Sequence, residues 1–231
     1  MKVTVATIRV VGNDLYTGHS NRWLETYKKF KPALKHELIV VNCDHDRPDD
    51  LFDSVATRQL TYKGGGWDCG TWQWLGNMVN TDLLVCCNSS TYFHREGWLE
   101  RFVAEVYVHG LGLYGSMASY EISPHMRTPC YVFQPNVMID YPILIDSRPK
   151  TYTFECAGMK DTFTSYCRRK GFVTRLVTWD GSYDLPDWRK PANIFRRGDQ
   201  SNVMVKDKHA DAYEASSPEG KAFLEKLADG S

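Results

Sequence analysis

The chain has 231 residues, enough for one substantial α/β domain, and its 42% apolar and 24% charged residues exclude general disorder. Its 28 basic side chains are matched by 28 acidic ones, so no whole-protein attraction to nucleic acid or an anionic membrane is built in. Seven cysteines with no C-x-x-C pair exclude a short structural zinc module and point to free thiols in a reducing compartment.

The β-branched run from Lys2 to Val11 predicts a first strand, broken at Gly12-Asn13-Asp14. Ser20 is expected to cap a helix with Trp23, Leu24, Tyr27 and Phe30 on one face, which Pro32 helps to end. Leu38 to Asn42 is a short continuous apolar run, the mark of a strand covered on both faces, and an acidic loop from Cys43 to Asp50 follows it. Leu51 to Ala56 reads as one or two helical turns and Arg58 to Tyr62 as a third strand. Gly64 to Gly66 let the backbone turn, and Thr71 to Asn80 has helical spacing, with Trp74, Leu75 and Met78 on one face.

Leu83 to Cys87 predicts a buried strand, Gly97 to His109 a helix, and Gly110 to Ser116 and Tyr131 to Val137 two further strands. Asp161 to Lys170 reads as a helix closed by Gly171, Val173 to Thr178 as a strand, and Pro218 to Ala228 as a terminal helix. Residues 179 to 202 read as loop. The alternation of strand and helix predicts one α/β layered domain over residues 1–231, with a mixed, mainly parallel sheet between helices. No apolar run is of signal type or approaches the length of about 18 residues that spans a bilayer, so a soluble, cytoplasmic chain is expected.

Ligands of an open α/β sheet bind beyond the carboxyl ends of its strands. Three segments fall there: Asn42-Cys43-Asp44-His45-Asp46, Gly64-Gly65-Gly66-Trp67-Asp68-Cys69-Gly70 and Asn88-Ser89-Ser90. The first, with the apolar run before it, resembles the strand and acidic turn of family-2-type GT-A glycosyltransferases. The stretch GGGWDCGTWQWLGNMVNTDLLVCCNSS resembles the next block of that fold, and GWDCGTW is similar to a D-x-G-x-W-like segment in rhamnan-synthesis-F-like glycosyltransferases. The resemblance covers roughly the first 120 residues by motif order. It implies a GT-A-like (Rossmann-like) fold and transfer of a sugar from a nucleotide-diphosphate sugar to an acceptor hydroxyl. Residues 1–120 would be the nucleotide-sugar-binding half, and residues 121–231 the acceptor-side and C-terminal half.

Within the resemblance, Asp44 holds the donor's nucleoside, Trp67 and Asp68 border it, and Asn88 and Ser90 occupy the place of the metal-binding D-x-D. Neutral oxygens replace carboxylates there, whereas Mn²⁺ or Mg²⁺ favours charged ligands. A divalent metal held elsewhere, basic groups in its place, or loss of activity would each explain the change. Arg196 and Arg197 could clamp a diphosphate, and Asp207, His209 and Asp211 could hold the metal; a solvated loop of mixed charge is the plain alternative.

A carboxylate must take the proton of the acceptor hydroxyl, which implies inversion. Glu155 and Asp161 are the candidates, with a surface position and a helix N-cap as their plain readings. Trp67 could stack on the donor or pack in the fold. The acceptor could be a glycan, a small molecule or a modified nucleic-acid base. A non-catalytic nucleotide- or sugar-binding module is the second reading, and a nucleotidyltransferase the third, because Thr7 to Asn13 makes a poor phosphate loop.

Overall fold

The structure, a computed structural model, describes residues 1–12, 14–43, 50–146 and 162–231. Five elements open the chain: β1 (Val3–Val10), α1 (Asp14–Lys29), β2 (Glu37–Cys43), β3 (Arg58–Tyr62) and α2 (Trp67–Met78). Then come β4 (Leu83–Cys87), α3 (Trp98–His109), β5 (Gly112–Gly115), β6 (Ala118–Ser119), β7 (His125–Met126), β8 (Cys130–Phe133) and α4 (Asn136–Ile139). The last third holds α5 (Phe163–Arg169), β9 (Val173–Val177), β10 (Ser182–Asp184), α6 (Lys208–Glu214) and α7 (Pro218–Asp229).

Eight strands form one sheet in the order β10-β9-β5-β8-β4-β1-β2-β3, and β6 and β7 pair apart from it. Strand β1 lies parallel between β2 and β4, β2 pairs parallel with β3, and β5 pairs parallel with β9. Strand β8 is antiparallel to both β4 and β5, and β10 is antiparallel to β9. The sheet is therefore mixed and mainly parallel, the α/β layered arrangement expected from the sequence.

Alternation along the strands supplies two apolar faces. Val3 and Val5 of β1, Leu38 and Val40 of β2, and Leu83 and Val85 of β4 pack with Trp23 and Tyr27 of α1 and with Trp98 and Phe102 of α3. Ala6 and Ile8, Ile39 and Val41, and Leu84 and Cys86 face the other way, against Trp72 and Leu75 of α2 and Phe163 and Tyr166 of α5. Each Val, Leu, Ile or Phe among them contributes about 1.5–3 kcal/mol when fully buried.

Local boundaries differ from expectation for physical reasons. Helix α1 starts before Ser20, which is buried in mid-helix instead of capping it. Its hydroxyl and that of Thr17 lie 3.5 and 3.3 Å from Arg9 Nη1, a buried cation that needs acceptors. Residues 51–55 form turns rather than a helix. Strand β8 ends at Phe133, and Pro135 starts α4 where strand was expected. Helix α6 was not expected at all; Asp207 caps it, accepting from the amides of His209 and Ala210.

Candidate functional site

The carboxyl ends of β1, β2 and β3 and the turn after β4 surround a cleft of about 560 Å³. Val10, Cys43, Tyr62 and Ser89 line it from the strand ends, Tyr16 from α1, and Gly64 to Asp68 and Thr71 from the turn that starts α2. The cleft lies at the strand ends, where the sequence placed its three candidate segments.

The glycine turn has little slack. A Cβ on Gly66, at φ 79°, would stand 2.3 Å from the Leu144 carbonyl oxygen, and one on Gly70 would stand 2.1 Å from that of Gly65. The Gly65 amide donates to Ile145 O at 2.5 Å, and the Tyr62 hydroxyl donates to Gly65 O at 2.6 Å. Burial first, then the nearby Cys43, pushes the Tyr62 phenol well above its ordinary range, so it remains a donor. Gln73 fastens the opposing segment: its Nε2 donates to Tyr141 O at 3.1 Å and its Oε1 accepts from Leu144 N at 2.7 Å.

Trp67 follows directly, in the left-handed region at φ 49° and 51% exposed at the cleft. A bulky residue rarely takes this backbone form, and the glycines on one side and α2 on the other impose it. Asp68 lines the cleft beside it and accepts from Thr128 Oγ1 at 3.3 Å. Asp44 lies outside the described residues; Cys43, immediately before it, lines the cleft.

The turn after β4 divides its residues differently from the sequence reading. Asn88 Oδ1 accepts from Ser90 N and Ser90 Oγ at 3.0 and 3.1 Å, and Thr91 Oγ1 lies 3.0 Å from it. Asn88 and Ser90 therefore bond to each other within the turn, and Ser89 is the member that lines the cleft. Pro129 O accepts from Asn88 N and Thr91 Oγ1, which ties this turn to the one that opens β8. The residues do not fit a D-x-D metal site: a neutral amide oxygen that already accepts from its own turn is a poor ligand for a hard cation.

The C-terminal candidates are distributed over two places, and neither arginine is among the residues that line the cleft. Arg197 is held by Asp229, with Nη2 2.7 Å from Oδ1, and its Nη1 donates to Arg189 O at 2.5 Å. Arg196 is buried beside Phe195, with Nη1 3.5 Å from Glu121 Oε2. Asp207 is fully buried as the cap of α6, whereas Asp211 accepts from Arg22 Nη1 at 2.5 Å and from the Tyr92 hydroxyl at 2.6 Å. His209 is half-buried, and burial lowers its pKa. Among the described residues no three His, Cys, Asp or Glu side chains are grouped to hold a metal ion, so the expected set of Asp207, His209 and Asp211 is not assembled as one. Glu155 and Asp161 lie outside the described residues; Thr162, which follows them, caps α5.

Sequence reasoning placed Cys43 and Ser89 in the strand-end segments without giving them a role, and it missed Tyr16 and Tyr62 as cleft residues. Tyr62 ends β3, so the strand-end rule applied residue by residue would have found it; Tyr16 sits on a helix whose start was misplaced. Among the described residues no helix is long and apolar enough to cross a membrane.

No family model matches the sequence, and no curated protein does. Among solved structures the chain is similar to HddC from Yersinia pseudotuberculosis, with a TM-score of 0.43 and 11% identity over 63% of this chain and 82% of that one. It is similar to S. aureus TarS 1-349 with a TM-score of 0.49 and 11% identity, over 72% of this chain and 55% of that chain. A third is CMP:2-keto-3-deoxy-manno-octonic acid synthetase complexed with CTP, at a TM-score of 0.46 and 11% identity over 64% of this chain and 80% of that one. What the chain does is read from its own residues.

Proposed function

We propose that the chain is a glycosyltransferase that moves a sugar from a nucleotide-diphosphate sugar to an acceptor hydroxyl. The observation that carries this reading is the cleft of about 560 Å³ at the carboxyl ends of β1 to β4, with a glycine turn on one wall and an exposed Trp67 held in a strained conformation. A cleft of this size suits a nucleotide-sized ligand. Trp67 offers an aromatic face on which a base stacks, the glycine turn lets a ligand approach the backbone closely, and Asp68 and Ser89 supply polar contacts to hydroxyl groups. Glu155 and Asp161 remain the proposed carboxylates for taking the acceptor's proton, with inversion as the consequence. Asp44 remains the proposed partner of the nucleoside. The acceptor class stays as wide as a glycan, a small molecule or a nucleic-acid base.

One observation favours a second reading, a non-catalytic module that binds nucleotide or sugar. The residue at the D-x-D position gives its side-chain oxygen to its own turn. A thermal-shift panel of UDP, GDP, CDP, dTDP and ADP, each with Mn²⁺ and with EDTA, tests the cleft. Ligand at about 100 times its dissociation constant adds about 2.7 kcal/mol, which moves the midpoint by roughly 5 to 10 °C. One nucleotide is expected to give that shift, and Trp67→Ala to weaken its binding about tenfold, the low end for loss of base stacking. No shift with any nucleotide would sink the transferase reading. A shift without turnover of the matching nucleotide sugar would favour the binding module.

A further inference from the structure

Between Thr26 and His36 the chain places four lysines, Lys28, Lys29, Lys31 and Lys35, and no carboxylate. Two of them end α1, and the other two stand on the loop that leads into β2. All four are exposed. Among the described residues none of them is held in an ion pair, and Lys29 Nζ lies 5.1 Å from the centroid of the Phe30 ring. The carboxylates beside the segment are engaged elsewhere: Glu37 pairs with Arg58 at 3.4 Å, and Glu100 Oε1 accepts from Leu34 N at 2.7 Å. Glu25, a turn earlier on α1, is exposed and offsets one of the four charges at most.

The segment lies at the end of the sheet away from the cleft. Strand β1 reaches the cleft at Val10, and β2 runs parallel to it, with Glu37 opposite Thr4 and Cys43 opposite Val10. The lysines precede Glu37 in the chain, whereas the acidic run Asp44, Asp46, Asp49 and Asp50 follows Cys43. A chain of zero net charge therefore carries opposite charge on the segments before and after one strand. Such an asymmetry orients a molecule in front of a charged surface.

The residue type narrows the partner. Lysines are hydrated point charges on flexible stems and need no fixed partner geometry, unlike the planar fork of arginine. They match a fluid array of anionic headgroups, which moves to meet them. A polynucleotide is held by arginine forks and stacked aromatic rings as well. Here Arg58, at the same edge of the sheet, is paired with Glu37, and Phe30 is half-buried. We propose that residues 28–35 dock the chain on an anionic lipid surface, peripherally and with the cleft turned toward water. This docking does not rest on the transferase reading.

Co-sedimentation with vesicles of phosphatidylcholine, alone and with about one-third phosphatidylserine, tests it. Each lysine close to the surface contributes about a fivefold gain in partitioning. The anionic vesicles should bind the chain at about 0.1 M salt and release it at about 1 M, where the screening length falls from about 10 to about 3 Å. Neutral vesicles should not bind it. Lys28→Gln combined with Lys29→Gln should weaken partitioning about 25-fold. Lys221→Gln combined with Lys226→Gln removes the same charge from α7 and should leave it unchanged. No partitioning of the unsubstituted chain to anionic vesicles, or equal partitioning to neutral ones, overturns the proposal. So does a loss at Lys28 and Lys29 no greater than the loss on α7. A duplex oligonucleotide that binds through these lysines while vesicles do not also overturns it, and makes the segment a polynucleotide site. A second measurement needs no variant: anionic vesicles should slow acetylation of Lys28, Lys29, Lys31 and Lys35, read by peptide mass, more than that of Lys221. Equal slowing at all five lysines overturns the docking.

Discussion

The glycine turn at the cleft and the buried arginines Arg127 and Arg196 away from it are built in opposite ways. The turn comes from one stretch, residues 62–70, whose backbone and Tyr62 hydroxyl bond locally and to the 141–145 segment. The two arginines come from places far apart in the chain and leave three of their buried N–H atoms without acceptors. A local, satisfied structure is rigid before any ligand arrives. A remote, unsatisfied one carries a free-energy cost that local bonding does not remove.

The largest effect should fall on the turn. Gly66→Ala places a methyl group against the Leu144 carbonyl in a backbone form that disfavours any side chain. A loss of about 3 kcal/mol or more is expected by chemical denaturation. A smaller loss would mean that the 141–145 segment gives way, and that the turn is less rigid than this contrast requires.

Next in size is a pH effect on the arginine side. Burial pulls the His125 pKa from 6.5 to about 4; its ring Nδ1 faces Ser123 O at 2.8 Å, and Arg127 adds to the lowering. The unfolded chain therefore binds a proton between pH 6.5 and 4 that the folded chain does not. Stability is full above pH 6.5 and falls as pH drops through that window, by about 3 kcal/mol in all. His125→Gln should flatten the slope measured from pH 7 to 4. If the slope persists, the sensitivity belongs elsewhere, for instance to His94, which burial also lowers.

How far the sequence led differs between the two regions for the same reason. Strands β1 to β4 carry their burial pattern in consecutive residues, and the glycine run sits where the third strand ends, so the cleft was legible. Asp207 beside His209 read as possible metal chemistry because a helix cap and a ligand set share residue types. Only the fold shows that α6 uses that carboxylate. Arg127 has no sequence signal, since nothing local says that it will pack on Phe195.

A moderate effect should separate the two roles of Asn88. Asn88→Ala removes the acceptor of the two hydrogen bonds from Ser90 and should cost about 1–3 kcal/mol. Asn88→Asp should retain most of the stability, because both Ser90 groups donate. Equal losses in calorimetric midpoint for both variants would show that the turn depends on the amide itself.

The smallest effect is expected at the surface. Arg22 pairs with Asp211, but their side chains are 44% and 38% exposed. Arg22→Ala should cost under about 1 kcal/mol in a urea titration, with part of that from lost contact with the Tyr92 ring. A larger loss would give the outer side of α6 a weight that the comparison assigns to its buried cap.

Strand β8 runs against its neighbours, and this sets where the chain tolerates change. Parallel strands present their last residues at the cleft, whereas β8 presents its first: Cys130 pairs with Cys87 at the end of β4. The segment leading into β8 is thus a graft point. Residues inserted before Cys130 would remodel the ligand border and spare the strand pairing, whereas residues inserted after Phe133 would emerge on the far side of the sheet and leave recognition untouched.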